Sequence, residues 1–470
     1  MKKVNLFLFF ALHSLLFTLF GCSPAGFYPK INSKLMSDNY AGAVGEIQKN
    51  RKKYYPSRNN LLYFLDYGLL NHLAGNFAES NKSFEDAKQL ADDYFTKSVT
   101  KEAATFLIND SMRPYYGEDF ERSLIYFFKA VNYAAVGETD EALVEARQLN
   151  HFLQTLQTNY GRKTVYKEDP AIRYIMGMLY EESGETNDAL IEYKKAIEAY
   201  EGMQHVIGCG APESLIKSAI LCAEKLGFSD DIDWFEKKYK VKAEQRHESS
   251  EIILIHLNGP APQKINHFIE ISFGDGLAYA ESVKVSGKDA TDVEQAKAAA
   301  RGFTSKKQFR VAFPQYIQPE FKTEKIEVAV SGGEFKGLTE KVSDISLIAM
   351  KNLSDRIARI RTKAIARAWT KHVLAQKAEE ETKKKRGELT GLLVGGALRA
   401  VGAATEIADL RTWGTLPAEI GIARIPVKAG TYHLRLYPKD GGGNTIGEKV
   451  INDVIVGKNK KIFLTVRTLK

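Results

Sequence analysis

Few residues in this chain have both the type and the spacing that chemistry requires. Cys209 lies in Gly208-Cys209-Gly210, four residues after His205, and a thiol beside an imidazole can serve as nucleophile and base. No third group stands nearby to orient such a pair, so a loop thiol ahead of a helix beginning near Pro212 is the plainer reading. Asp409, Arg411 and Trp413 alternate along one segment. An Asp–Arg pair beside an indole can hold a sugar ring or an anion, or it can pin a helix end onto a neighbouring sheet. The second role is favoured. The sequence contains no HExxH, paired CxxC or GxSxG, and Gly391–Gly396 lacks the Lys-Ser/Thr that completes a phosphate loop. No catalytic residue, metal ligand or cofactor is therefore assigned, and the expectation is a protein that is not an enzyme. Cys209 and Cys222 are separated by a mostly helical span rising ~1.5 Å per residue, too far for the ~7 Å reach of a disulfide.

The one cysteine with a strong context is Cys22. Lys2 and Lys3 precede an apolar run from Val4 to Phe20, which ends in Leu19-Phe20-Gly21-Cys22. Two positive charges, a short apolar core and a small residue before the cut describe a secretory signal. The Leu-x-Gly-Cys ending resembles the bacterial lipobox, whose cysteine is acylated after cleavage on its N-terminal side. That resemblance implies a lipoprotein signal peptide at 1–21, a lipidated linker at 22–30 and membrane attachment through Cys22. Each buried CH₂ of an acyl chain adds ~0.8 kcal/mol, so several chains hold firmly. Ser23 in place of an aspartate favours the outer membrane of a Gram-negative cell, facing the periplasm. Residues 23–470 hold no stretch of ~20 apolar residues, so the lipid is the expected anchor. Removal of Lys2 and Lys3 lowers the formal charge from +8 to +6. In that compartment the charge would meet lipid headgroups or envelope polymers, not nucleic acid.

The rest of the chain must position these groups. With 470 residues, 44% apolar and 26% charged, it is neither disordered nor polytopic and is long enough for two or three cores. Residues 31–245 carry an internal spacing. The series Gly177, Gly184, Ala189, Tyr193, Ala196 steps by seven, five, four and three. The same steps recur through Gly68, Gly75, Ser80, Phe84 and Ala87, through Ala130, Gly137, Ala142, Ala146 and Leu149, and more weakly through Ile220, Gly227, Ile232 and Tyr239. A small first residue lets two antiparallel helices approach, the glycine seven later turns the chain, and the remaining positions share one face of the second helix. The pattern resembles the tetratricopeptide repeat (TPR), although the turn glycines lie 62, 47 and 43 residues apart against a usual period of about 34. Lengthened or added helices would absorb the excess, and a plain helical bundle is the alternative. TPR arrays present a concave groove, which Leu65, Leu69, His72, Phe127, Val131, Tyr174, Met178 and Glu181 would line for an envelope protein partner.

Residues 251–470 change to a period of two. Strands are expected at Ile252–Leu257, His267–Phe273, Ala278–Val285, Gln308–Phe313, Lys325–Ser331, Ile422–Val427, Thr431–Tyr437, Lys449–Val456 and Lys461–Arg467. An antiparallel β-sandwich accommodates them. A helical insertion over about 342–408 interrupts the strands, and its stretch 351–388 holds 12 Lys/Arg against 5 Asp/Glu. This basic helix is a solvated face or a contact for anionic lipid or glycan, at ~1 kcal/mol per basic residue near a charged surface. The fold class is therefore α+β multidomain, an irregular TPR-like α-solenoid followed by the sandwich.

Several landmarks coincide across the chain: Cys22, Tyr116-Gly117-Glu118-Asp119-Phe120-Glu121, Leu143-Val144-Glu145-Ala146-Arg147, Gly259-Pro260-Ala261-Pro262, Ala312-Phe313-Pro314-Gln315-Tyr316 and the segment 408–417. Together they resemble a family of uncharacterised bacterial TPR-containing lipoproteins. The resemblance implies architecture and location and carries no assigned chemistry. The expected function is a membrane-anchored envelope scaffold that binds protein partners during assembly or regulation of an envelope process. The alternative is an envelope glycan-binding protein or enzyme using Asp409, Arg411 and Trp413.

Overall fold

The computed structural model describes residues 26–101, 110–160, 169–242, 250–272, 308–330, 334–405 and 407–470. Cys22 and the expected strand Ala278–Val285 lie outside the described residues. The helical half opens with α1 (Tyr28–Met36), α2 (Tyr40–Lys49) and the single turn α3 (Arg51–Tyr54). Helix pairs follow: α4 (Asn60–Leu73) with α5 (Phe77–Lys101), α6 (Asp119–Ala135) with α7 (Thr139–Tyr160), α8 (Pro170–Ser183) with α9 (Thr186–Ile207), and α10 (Glu213–Leu226) with α11 (Ser229–Tyr239). This is a TPR-like solenoid. The turn glycines Gly75, Gly137, Gly184 and Gly227 all take positive φ, between 72° and 81°, the left-handed conformation that a side chain resists. Gly177 packs so closely on the Tyr193 ring that an added methyl would overlap it. Among the described residues, part of the excess repeat length lies in the long second helices α5 and α7.

The remainder forms β1 (Ser250–Pro260), β2 (Gln263–Ser272), β3 (Gln308–Ile317), β4 (Lys325–Val330), β5 (Glu334–Leu338), β6 (Glu340–Asp344), β7 (Pro417–Val427), β8 (Gly430–Lys439), β9 (Lys449–Val456) and β10 (Lys461–Thr468). Two long helices, α12 (Ile345–Arg386) and α13 (Glu388–Thr405), separate β6 from β7. The strands make one four-stranded sheet ordered β10-β1-β7-β6, a second ordered β5-β4-β8-β9, and the hairpin β2-β3. Not every ladder is antiparallel: β1 pairs with β10 in parallel. Short β5 and β6 carry neither the continuous apolar run of β1 nor the alternation of β8, and Val342 belongs to β6 rather than to the helical insertion.

Alternation along β1 explains the layering. Ile252 and Leu254 join Ile326, Val328, Ala423, Ile425, Leu434, Leu436 and Val466 in a core between the two four-stranded sheets. Ile253, Ile255 and Leu257 point the other way, into the core of the helical repeats, together with Ile420, Ile422 and Phe463. The central sheet is thus covered on both faces, and β1 is buried along almost its whole length. A sheet with one wet face would alternate. This one has the repeats on one side and a second sheet on the other.

Candidate functional site

The groove of the repeats is filled by the chain's own sheet. Leu65, Leu69, His72, Phe127, Val131, Tyr174 and Met178 are all buried, and they belong to the core that Ile253, Ile255 and Phe463 enter. His72 holds Asn132 Oδ1 with Nδ1 at 2.5 Å, and its Nε2 meets Thr465 Oγ1 of β10 at 3.0 Å. Burial pulls its pKa down to about 4, against the opposing Asn132 bond, so it stays neutral. Tyr174 donates to Ser214 at 2.9 Å. The expectation that these residues line an open groove for an envelope protein is therefore corrected. Their apolar faces meet the apolar face of β1, β7 and β10, and burying both against each other removes more surface from water than exposing either.

Glu181, the one charged member of that set, faces a buried cation. Arg424 of β7 donates from Nη2 to Glu181 Oε2 at 2.6 Å and to Glu251 Oε2 at 2.5 Å. Its Nε donates to Glu251 Oε1 at 2.8 Å, and its Nη1 to Ser218 Oγ at 2.6 Å. Lys461 of β10 completes the cluster, 2.7 Å from Glu251 and 3.2 Å from Glu181. Burial pushes Glu181 up, but the Arg424 and Lys461 charges outweigh it and hold the carboxyl well below its ordinary range. Every acceptor and donor here is answered, as a buried ion cluster demands.

The Asp409, Arg411 and Trp413 segment forms the other end of the seam. Arg411 grips Asp409 through Nε at 2.8 Å and Nη2 at 2.6 Å, and also donates to Arg113 O at 2.8 Å and Asp110 O at 2.9 Å. Trp413 is fully buried, with its ring edge-on to Phe84 and Phe128 at centroid distances of 5.8 and 5.9 Å. Its backbone N–H donates to Glu121 Oε1 at 2.7 Å, and its indole N–H to Thr415 Oγ1 at 2.9 Å. Glu121 is the N3 residue of a capping box that starts α6, so the 116–121 motif is the receptor for the 408–417 motif. Lys264 of β2 ties in as well, pairing with Glu118 and donating to Arg411 O at 3.1 Å. These side chains converge inside packed protein, not in an open cleft. This corrects the alternative of a glycan site or active site built on them.

Sequence reasoning also missed Asp66. Buried in α4, it accepts from Tyr28 (2.9 Å) and Tyr55 (2.8 Å) on Oδ2, and from Thr415 Oγ1 (2.8 Å) and N (3.2 Å) on Oδ1. Burial pushes its pKa up to about 7, against these donors. Arg467 of β10 is equally buried. Its Nη2 donates to Leu416 O at 2.8 Å, while Nε and Nη1 meet no acceptor among the described residues. Burial pulls its pKa down to about 9. A charged residue at an inward position of an otherwise apolar element was the available signal for Asp66, Glu251, Arg424 and Arg467 alike.

Cys209 is half-buried and Cys222 buried, and both are free thiols. Burial pushes each up to about 12, which removes the thiolate a nucleophile needs.

No family model matches this chain, and no curated protein matches it. Among solved structures, MamA is 17% identical over 44% of this chain and 91% of its own, with a TM-score of 0.28. RapI in its apo form is 9% identical over 81% of this chain and 73% of its own, at 0.33. The Rap conjugation gene regulator of plasmid pLS20, in complex with the Phr* peptide, is 11% identical over 80% and 74%, at 0.27. With scores this low the likenesses carry no argument about function. The class, a TPR-like repeat solenoid joined to a β-rich unit, rests on the helix pairs and sheets of the chain itself.

Proposed function

We propose that this protein is a lipid-anchored envelope scaffold in which the repeats clamp the chain's own β-sandwich and partners bind outside the groove. The observation that carries this reading is the shared core: the surface a TPR array would offer to a peptide is occupied by β1, β7 and β10. Residues suited to chemistry, Arg411, Trp413 and Glu181 among them, are committed to that contact. The lipobox-like ending at Cys22 supports attachment to the outer membrane facing the periplasm, where the scaffold would serve assembly or regulation of an envelope process.

The surface left for a protein partner includes the last helix of the solenoid. Trp234 is 50% exposed on α11 with the Lys238 ammonium 4.5 Å from its ring, and Tyr239 lies edge-on to it at 6.0 Å. Aromatic and cationic groups together are characteristic interface anchors. A photocrosslinking residue placed at Trp234 should trap a discrete protein in the envelope, and one at buried Leu65 should trap none. Trapping at Leu65, or none at Trp234, overturns the arrangement. For the anchor, Cys22→Ser should abolish acyl labelling; persistent labelling refutes it.

A further inference from the structure

The basic helix divides into two halves with different occupations. Near its start, Arg356 pairs with Glu118, the Arg361 guanidinium lies 5.2 Å from the Phe313 ring centroid, and Arg367 reaches Asp110 at 3.4 Å. Arg356 and Arg367 are committed to the seam with the repeats, and Arg361 to the hairpin beneath its own helix. Past Ala368, the last α12 residue in the core shared with β3, the helix runs another eighteen residues, about 27 Å at 1.5 Å each, accompanied by α13. The far end carries four consecutive cations, Lys383, Lys384, Lys385 and Arg386. Lys383 and Lys385 pair one turn back with Glu379 and Glu381 at 2.9 and 3.8 Å, partly exposed contacts that a charged surface can replace. Lys384 and Arg386 make no ion pair among the described residues.

The hairpin at that end is built inside out for a helix pair in water. Gly391 and Gly395 of α13 lie against Lys383 and Glu379 of α12 so closely that a methyl at either would overlap them. The small residues therefore take the packing face; Leu389 and Leu393, 74% and 67% exposed, lie opposite it, and Leu392, 46% exposed, flanks it. An amphipathic helix in water buries its leucines. Here they point outward next to the cationic cluster, while no helix among the described residues is long and apolar enough to cross a membrane.

We propose that this hairpin tip is a second membrane contact: Leu389, Leu392 and Leu393 enter the headgroup–acyl boundary of an anionic bilayer, and Lys383–Arg386 hold its phosphates. Charge complementarity selects this occupant. Leucines at the boundary with lysines and arginines reaching back to the headgroups are the arrangement by which a helix lies in an interface. Each basic residue near an anionic surface adds attraction that salt screens. The proposal goes beyond the anchored-scaffold reading and does not depend on acylation at Cys22.

The test places an environment-sensitive fluorophore on Leu393→Cys in the full chain, with Ile455→Cys, 72% exposed on β9, as a distant control. Vesicles of phosphatidylcholine with a minority of phosphatidylglycerol, carrying brominated acyl chains, should quench the label at 393 and not at 455. Replacing Lys383–Arg386 with glutamines should raise the lipid concentration needed for half-maximal quenching by roughly 10²–10³-fold at low salt, and omitting phosphatidylglycerol should weaken quenching in the same direction. Three outcomes overturn the proposal: a label at 393 indifferent to vesicles, equal quenching on neutral and anionic vesicles, or a change that depends on protein concentration without lipid. The last would assign the leucines to a second copy of the chain. Because the label reports the tip alone, its failure leaves the anchor and the groove readings to their own tests.

Discussion

Two carboxylates lie buried in the same seam between repeats and sheet, and their surroundings differ in kind. Glu181 sits with Arg424 and Lys461, so its charge is matched where it was desolvated. Asp66 sits among two phenols, a hydroxyl and an amide N–H, all neutral. The first is held as the anion by its cations; the second is pushed toward the acid by burial, against neutral donors too weak to offset it. The same contrast separates two arginines on the repeat-facing side of one sheet. Arg424 has two glutamates, whereas Arg467 has a carbonyl. Burial alone therefore does not set the sign of a charge's contribution; the partner does.

Removing the partner at the matched end should have the largest effect. Arg424→Ala leaves Glu181 and Glu251 facing each other with only Lys461 between, and should lower the unfolding free energy by about 3–5 kcal/mol in urea denaturation. A loss under ~1 kcal/mol would mean the cluster is solvated.

The neutral end should respond to pH instead, with opposite sign. Because the folded-state pKa of Asp66 lies above its unfolded value, the native state holds the extra proton between about 4 and about 7. Stability from this group is fully present below that window and lost as pH rises through it. Glu181 works in reverse, contributing above its unfolded pKa and losing that contribution as acid protonates it. Asp66→Asn should remove the first dependence. The variant's stability relative to the parent should rise by a few kcal/mol between pH 5 and pH 8, measured as the shift in urea midpoint; a flat difference contradicts the assignment. Tyr55→Phe sharpens the point, since it deletes one donor to Asp66. It should cost about 1–2 kcal/mol at pH 8 and less at pH 5. Smallest of all, Arg467→Met should change stability by about 1 kcal/mol or less, or raise it, because no ion pair is broken. A loss comparable to that of Arg424→Ala would show that Arg467 has a charged partner.

Much of this architecture was legible before any coordinates. The stepped spacing marked the helix pairs because a left-handed glycine turn is a local requirement, met at Gly75, Gly137, Gly184 and Gly227 whatever lies elsewhere. An unbroken apolar run marked β1, and alternation marked β8, in the same local way. What could not be read was which apolar face meets which. Leu65 and Tyr174 look like groove residues because they face inward from the solenoid, and the sequence has no local term for a sheet, distant along the chain, that fills the groove. The Asp409–Trp413 segment was legible as a structural pin, but its receptor, the capping box at Glu118 and Glu121, emerged only from the fold.

The parallel ladder between β1 and β10 has a consequence for how the molecule is made. Glu251 and Lys461 meet across 210 positions of chain, so the layer that plugs the solenoid is unfinished until synthesis has passed β10. Until then the part of the concave wall that β10 covers, on α4 and α6 with Leu69 and Phe127, stands bare, an adhesive surface in a crowded compartment. A chain interrupted before β10 should consequently be recovered bound to holdases or degraded, and not as a smaller working copy of itself.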